Sequence, residues 1–272
     1  MTIIAEQVAR HQSVAYQNDF DYTAGSPHLR HRTLNQRVID VCRDVVREVL
    51  DRWGHCRVLE VGAGHGAFTD HVAALGAEVW ITEMSQDSAI LLADRFRHNN
   101  SVHVLHDSDG TAAASLGTFD VVLCLSVLHH IPDYLSTVRQ YTSQIAPGGA
   151  FVSYQDPLWY PRRTRASVLV DRGAYFTWRL GRPDLTRGLA SFLRRVRGAY
   201  DETKPGDMVE YHVVRDGVDE RALEALLVPR FSSVRVDRYW STQAGPLQWV
   251  GERFGPSTTF GLVATNALPH QR

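Results

Sequence analysis

Nine consecutive residues, Val58-Leu59-Glu60-Val61-Gly62-Ala63-Gly64-His65-Gly66, carry the first chemistry legible in this chain. Apolar residues give way to an acid and then to three glycines at alternate positions. That order describes a buried strand, its carboxyl end and a tight turn opening a helix. Glycine in such a turn lets a nucleotide-like ligand approach the backbone closely and accepts φ > 0. A second strand-like run, Glu78-Val79-Trp80-Ile81-Thr82-Glu83, ends in an acid 21 residues after Gly62. A carboxylate there is placed to accept both hydroxyls of a ribose. Two adjoining units aimed at one nucleoside make a binding site.

The spacing discriminates between ligands. Dinucleotide enzymes favour G-x-G-x-x-G, with the pyrophosphate on the helix N-terminus. Here the third glycine comes one residue early, as Gly62-x-Gly64-x-Gly66, and Glu60 stands two residues before the first. A carboxylate at that place repels a pyrophosphate and suits a ligand carrying an ammonium and a sulfonium.

The elements that must hold these residues alternate. Val38, Val41, Val45, Val46 and Val49 repeat with helical period over 34–52. Strands are expected at 57–61, 78–83 and 102–106, the last running into Asp107, with helices at about 66–75 and 86–98. Residues 119–125 form a continuous apolar run, as in a strand buried on both faces. A helix follows Pro132-Asp133, and Pro147-Gly148-Gly149 turns into a fifth strand over 150–154. Such alternation implies an α/β fold with a parallel sheet and helices on both faces. It stops at 157–207, where ten arginines and Lys204 outnumber the acids. This stretch reads as an inserted helical cap. The core resumes at 208–214, followed by a helix at 218–228 and strands at 233–239 and 258–264. The expected division is an N-terminal flap at 1–33, a core of 34–156 and 208–272, and the cap.

Composition bounds the function classes. At 272 residues, 44% hydrophobic and 22% charged, the chain suits one sizeable globular core. No apolar run approaches the roughly 18 residues of a membrane span, and no secretory leader is recognisable. Cys42, Cys56 and Cys124 are odd in number and far apart, which fits reduced thiols and a cytoplasmic location. The 28 arginines against one lysine fit a GC-rich genome and leave no Gly-Lys-Ser/Thr phosphate loop.

Four motifs in order resemble those of the class I S-adenosylmethionine-dependent methyltransferases, over about 58–156 and more loosely 208–265. Glu60, Gly62, Gly64 and Gly66 match motif I, and Glu83 matches the ribose-binding acid. Asp107, followed by Ser108, matches the position that receives the adenine amino group, with Asp109 competing for that role. Leu125-Ser126-Val127-Leu128-His129-His130-Ile131-Pro132-Asp133 is similar to the signature after strand four of small-molecule methyltransferases, and Ala146-Pro147-Gly148-Gly149 to the turn before strand five. The resemblance implies a Rossmann-like, seven-stranded, mostly parallel sheet of order 3-2-1-4-5-7-6, ending in two antiparallel strands. It implies S-adenosylmethionine as cofactor and S-adenosylhomocysteine as product. It also implies a small organic acceptor, such as an aromatic or heteroaromatic secondary metabolite of the antibiotic type, methylated on O, N or C.

Around the cofactor, Met84 and Leu125 join the acids and glycines, and Tyr16, Phe20, Tyr22 and His28 are placed to close the pocket over the sulfonium chain by cation–π attraction. Candidates for a general base are His130, Glu210, Tyr211 and His212. Tyr239, Trp240 and Trp249 suggest an aromatic acceptor. No metal site is expected: His28 and His31 lack an accompanying carboxylate. Tyr200-x-x-x-Lys204 has the spacing of a short-chain dehydrogenase pair, but Pro205-Gly206 follows at once. A nucleic-acid substrate would use the basic, aromatic cap. Against it, the net charge is −1, and Cys124-Leu125-Ser126-Val127 stands where base methylases carry Asn/Asp-Pro-Pro-Tyr. Neither nucleic acid nor membrane is an expected partner, and a homodimer stays open.

Overall fold

The computed structural model describes residues 26–180 and 217–269. Helix α1 (Pro27–Arg30) leads into α2 (Arg32–Trp53), which buries Leu34, Val38, Cys42, Val45 and Val49 along one stripe and ends at left-handed Gly54. Strand β1 (Arg57–Val61) runs into the glycine turn. The helix expected at 66–75 shrinks to α3 (Thr69–Ala73). The cause is local: Gly62, Gly64 and Gly66 all have positive φ (63°, 59° and 74°), so no helical turn forms until past Phe68.

The alternation continues with β2 (Glu78–Glu83), α4 (Gln86–Phe96), β3 (Val102–His106) and β4 (Phe119–Leu125). Ser85 caps α4 by accepting the Ser88 N–H. A short 3₁₀ turn, Leu128–His130, precedes α5 (Tyr134–Ser143), which is capped by Asp133. Strand β5 is longer than expected, spanning Ile145–Pro157. Helix α6 (Arg165–Leu180) begins the insertion. After it come α7 (Glu220–Leu227), β6 (Phe231–Tyr239), α8 (Gly245–Phe254) and β7 (Thr259–Ala267). The strand expected at 208–214 lies outside the described residues.

The seven strands follow the order β3-β2-β1-β4-β5-β7-β6. Strands β1 to β5 are parallel, and β7 pairs antiparallel with both β5 and β6. So β7 alone runs against the rest, and the last two strands are antiparallel to each other, as the resemblance implied. One apolar layer packs α2 on the sheet, and the other packs α5 and α7. Each covers one face, as a parallel sheet requires.

The two ends of the insertion are stitched together. Val218 donates its N–H to the Pro157 carbonyl (2.9 Å), and Arg162 binds both Asp219 and Glu220. Arg163 pairs with Asp171. These two arginines are committed to the stem of the insertion, not displayed for phosphate. Helix α8 was not foreseen; it fills the β6–β7 connection.

Two glycines separate conformational from steric cost. Gly76 has φ +93° and nothing within 4 Å of an added Cβ, whereas at Gly66 that Cβ meets Phe96 at 2.8 Å. Gly76→Ala is expected to cost about 1–2 kcal/mol from left-handed backbone alone. Gly66→Ala adds about 1–3 kcal/mol of overpacking to that. Urea unfolding of the two variants checks the difference; equal losses would contradict it.

Candidate functional site

Between β1 and β2 the turns interlock. Gly62 donates its N–H to the Thr82 carbonyl (2.8 Å). Glu83 Oε2 accepts the Gly64 N–H (3.1 Å) and its Oε1 accepts the Ser85 N–H (3.1 Å). A Cβ at Gly62 would lie 2.6 Å from Val127 Cγ2, so the turn packs directly on the loop after β4. Glu60, 2% exposed, accepts a 2.6 Å hydrogen bond from the Thr69 hydroxyl. Burial pushes the Glu60 carboxyl up to about 7 against the opposing pull of that hydroxyl. Burial also raises Glu83, opposed by its backbone donors.

Asp107 is buried at the end of β3, and its Oδ1 accepts the N–H groups of Thr111 (2.9 Å) and Ala112 (3.1 Å). It therefore caps the 3₁₀ turn at Ala112–Leu116. Asp109 is exposed and accepts from the Thr111 N–H (3.1 Å) and hydroxyl (2.6 Å). Of the two competing acids, Asp107 is the one at the strand end. Ser108 is exposed, Met84 half-buried and Leu125 buried. His28 is buried and stacks on Phe68 at 5.8 Å, which brings α1 against the end of the glycine turn. Burial lowers the His28 pKa to about 4, leaving the ring neutral. Tyr16, Phe20 and Tyr22 lie outside the described residues.

This half of the site combines a glycine cradle with two buried carboxyls. It fits a cationic nucleoside such as S-adenosylmethionine, and Glu60 would repel a diphosphate.

The ends of β4 and β5 carry a second cluster. Asp156 is fully buried. Its Oδ1 accepts from His129 Nδ1–H (2.8 Å) and from the His129 backbone N–H (3.1 Å), and its Oδ2 accepts the Ser153 hydroxyl (2.8 Å). Burial pushes the Asp156 carboxyl up to about 7, opposed first by the Ser153 hydroxyl. His130, singled out from the sequence, lies 4.0 Å ring to ring from His129. Within this pair the carboxylate is bonded to His129. A cavity of about 240 Å³ opens beside His129, lined also by Leu128, Ile131, Tyr134, Trp159 and Gly217. It lies at the stem of the insertion, where Asp219 donates its N–H to the Tyr134 hydroxyl (3.0 Å).

Glu210, Tyr211, His212, Tyr200 and Lys204 lie outside the described residues. Tyr239 and Trp240 are buried, the first stacked on Tyr154 and the second against Gly251, while Trp249 is exposed on α8. Sequence reasoning passed over His129, Ser153, Gln155 and Asp156. For Ser153, Gln155 and Asp156 the signal was present as polar residues inside an otherwise apolar strand, since a buried polar group requires a partner.

The model of the methyltransferase domain family matches residues 28–195. The chain belongs to the class I S-adenosylmethionine-dependent methyltransferases. Among curated methyltransferases, the "Ubiquinone biosynthesis O-methyltransferase" of Aromatoleum aromaticum is 31% identical over 144 residues, 52% of this chain and 58% of that protein. The protein of the same name from Xanthomonas campestris pv. campestris is 34% identical over 96 residues, 34% of this chain and 40% of that protein. The chain thus spans about half the length of the curated relatives it matches. The solved N-methyltransferase NodS of Bradyrhizobium japonicum, in complex with S-adenosylhomocysteine, superposes with TM-score 0.54 at 13% identity, covering 97% of this chain and all of that one. The plantazolicin methyltransferase BpumL superposes with TM-score 0.55 at 12% identity, covering 96% of each chain. These likenesses show the fold. Among the described residues no helix is long and apolar enough to cross a membrane.

The Glu60–Thr69 bond gives this methyltransferase a pH signature. A carboxyl raised by folding favours the native state while protonated, so its contribution is full below its ordinary value near 4.5 and is lost as pH rises through about 7. Above that, the ionised carboxylate depends on the Thr69 hydroxyl. Thr69→Val is expected to cost about 1.5–3 kcal/mol at pH 8, where the bond is to a charged group, and about 0.5–1.5 kcal/mol at pH 5. Urea unfolding at the two pH values measures it; a larger loss at pH 5 would contradict the assignment.

Proposed function

We propose that this chain transfers the methyl group of S-adenosylmethionine to a phenolic oxygen of a small aromatic acceptor. The observation that carries this reading is the His129–Asp156 pair, a histidine held by a buried carboxylate beside a cavity at the carboxyl edge of the sheet. Ligands of open α/β sheets bind at that edge.

The donor half is assigned as follows. Gly62, Gly64 and Gly66 admit the cofactor to the backbone, Glu83 takes the ribose hydroxyls, and Glu60 faces the ammonium-bearing chain. Asp107 takes the adenine amino group, with Met84, Ser108, Leu125 and His28 bordering the site. When bound, the cofactor supplies an activated sulfonium methyl. The protein's main contribution is then placement of the acceptor, a kind of effect that supplies ~7–11 kcal/mol in well-oriented systems.

A phenol with a pKa of about 10 is protonated at neutral pH, so its oxygen needs a proton acceptor. In this reading His129 holds its Nδ1–H against Asp156 (2.8 Å), and the opposite ring nitrogen, Nε2, is assigned as the proton acceptor. As the hydroxyl proton moves to Nε2, the imidazolium that forms is held by the Asp156 carboxylate. Ser153 keeps that carboxylate in place from its other oxygen. Oxygen is preferred over nitrogen or carbon because a neutral amine needs no base to attack a sulfonium methyl. The names of the curated relatives support the same choice.

The test is methyl transfer from S-adenosylmethionine to a panel of catechols and monophenols, with an aniline and an indole as nitrogen and carbon controls. A methyl ether is expected from at least one phenol. His129→Asn should lower kcat by about 10²–10⁴-fold and flatten the rise of rate with pH, with His130→Asn much milder. Methylation confined to nitrogen, or loss in His130→Asn alone, would contradict the reading. On the donor side, Glu83→Gln should weaken S-adenosylhomocysteine about ten-fold or more, since an amide replaces one acceptor oxygen. Unchanged affinity by calorimetry would remove Glu83 from the site.

A further inference from the structure

The glycine turn is held from two sides. Its first half is fixed by β2, through the Gly62 N–H on the Thr82 carbonyl (2.8 Å) and the Gly64 N–H on Glu83 (3.1 Å). Its second half, His65-Gly66, meets the last turn of α4. Arg95 Nη1 donates to the His65 carbonyl (2.6 Å), and Nη2 pairs with Asp70 on α3. Buried Leu92 and Phe96, on the same helix, close on Gly66: an added Cβ there would lie 3.0 Å from the first and 2.8 Å from the second. The Arg95 guanidinium also sits 5.4 Å over the Phe96 ring.

A turn with positive φ at Gly62, Gly64 and Gly66 has many backbone alternatives, because glycine has the most conformational freedom of any residue. The apolar contacts of Leu92 and Phe96 are non-directional and do not select a peptide orientation. A hydrogen bond to a carbonyl does select one, since the peptide that carries it is planar and the bond is directional. The peptide held here joins His65 to Gly66. The same guanidinium ties it to α3, the helix that carries Thr69, the partner of Glu60. At the other end of α4, the capping residue Ser85 donates its N–H to Glu83 (3.1 Å). One helix thus contacts the donor half at both of its ends.

We propose that Arg95 is a positioning residue for S-adenosylmethionine. It acts through the His65–Gly66 peptide, which it holds in the orientation that the bound nucleoside requires, and not by contact with the cofactor. This rests on the assignment of the glycine turn to the donor site. Without the bond, the turn relaxes into other glycine conformations, and the apparent affinity falls by the fraction of turns left competent. The fold itself loses little. Arg95 is 44% exposed and its partner Asp70 52%, and ion pairs so exposed contribute little to stability. The positioning role is therefore separable from folding.

The experiment compares Arg95→Met with Arg97→Met in the full chain. Methionine keeps most of the apolar stem and removes the charged head. Arg97 is the matched control, since it is also exposed and bonds to its chain neighbours Asp94 (2.7 Å) and His98 (3.0 Å). Both changes remove one positive charge from the same end of α4, so long-range electrostatics cancel in the comparison. Two quantities are measured: the Kd of S-adenosylhomocysteine by calorimetry, and the urea midpoint without ligand. Arg95→Met is expected to raise the Kd about five-fold or more, with a midpoint close to wild type. Arg97→Met should leave the Kd within about two-fold. A Kd within about two-fold of wild type in Arg95→Met, whatever its midpoint, overturns the proposal. So does an equal rise in both variants, which would assign the effect to charge and not to the His65 carbonyl. Glu83→Gln separates the two levels. If it weakens binding and Arg95→Met does not, only the positioning role fails; if neither does, the turn is not the donor site.

Discussion

The carboxylate of Glu83 is the joint on which the donor half of the molecule depends. One oxygen holds the Gly64 N–H of the first turn and the other holds the Ser85 N–H that begins the second. With the Gly62 N–H on Thr82, these bonds lock two independent strand ends into one rigid rim. The arrangement needs a largely buried carboxylate in a glycine-rich turn, and burying that charge is costly unless donors surround it. The same oxygens retain lone pairs for a ligand that brings hydroxyl groups.

A second buried carboxyl organises the other half. Asp156 binds Ser153 on its own strand and His129 on the loop from the neighbouring strand. Both carboxyls lie at the carboxyl ends of parallel strands, one on each side of the β1–β4 centre of the sheet. Burial pushes the carboxyls of both Glu60 and Asp156 up to about 7. The stem of the insertion is tied by Arg162 to Asp219 and Glu220.

Much of this was legible in the residues. The five parallel strands announce themselves as apolar runs ending in acids or glycines, and the strand order follows from the family resemblance. The length of the first crossover helix was misjudged, because three left-handed glycines consume the residues that periodicity assigned to α3. Helix α8 was missed because its aromatic residues do not form a single buried stripe: Trp249 and Phe254 face outward while Gln248 and Gly251 pack inward. The choice between His129 and His130 could not be made from spacing. Adjacent residues in a 3₁₀ turn point in different directions, and only the end of β5 reveals which one meets Asp156.

The central claim is that the Gly62–Gly66 turn and Glu83 form a site for a sulfonium nucleoside and not for a dinucleotide. The most direct measurement is calorimetric titration of the full chain with S-adenosylhomocysteine and, separately, with NADH. Micromolar, one-to-one binding of S-adenosylhomocysteine with no heat from NADH is the expected result. Binding of NADH in preference to S-adenosylhomocysteine would contradict the account at its base.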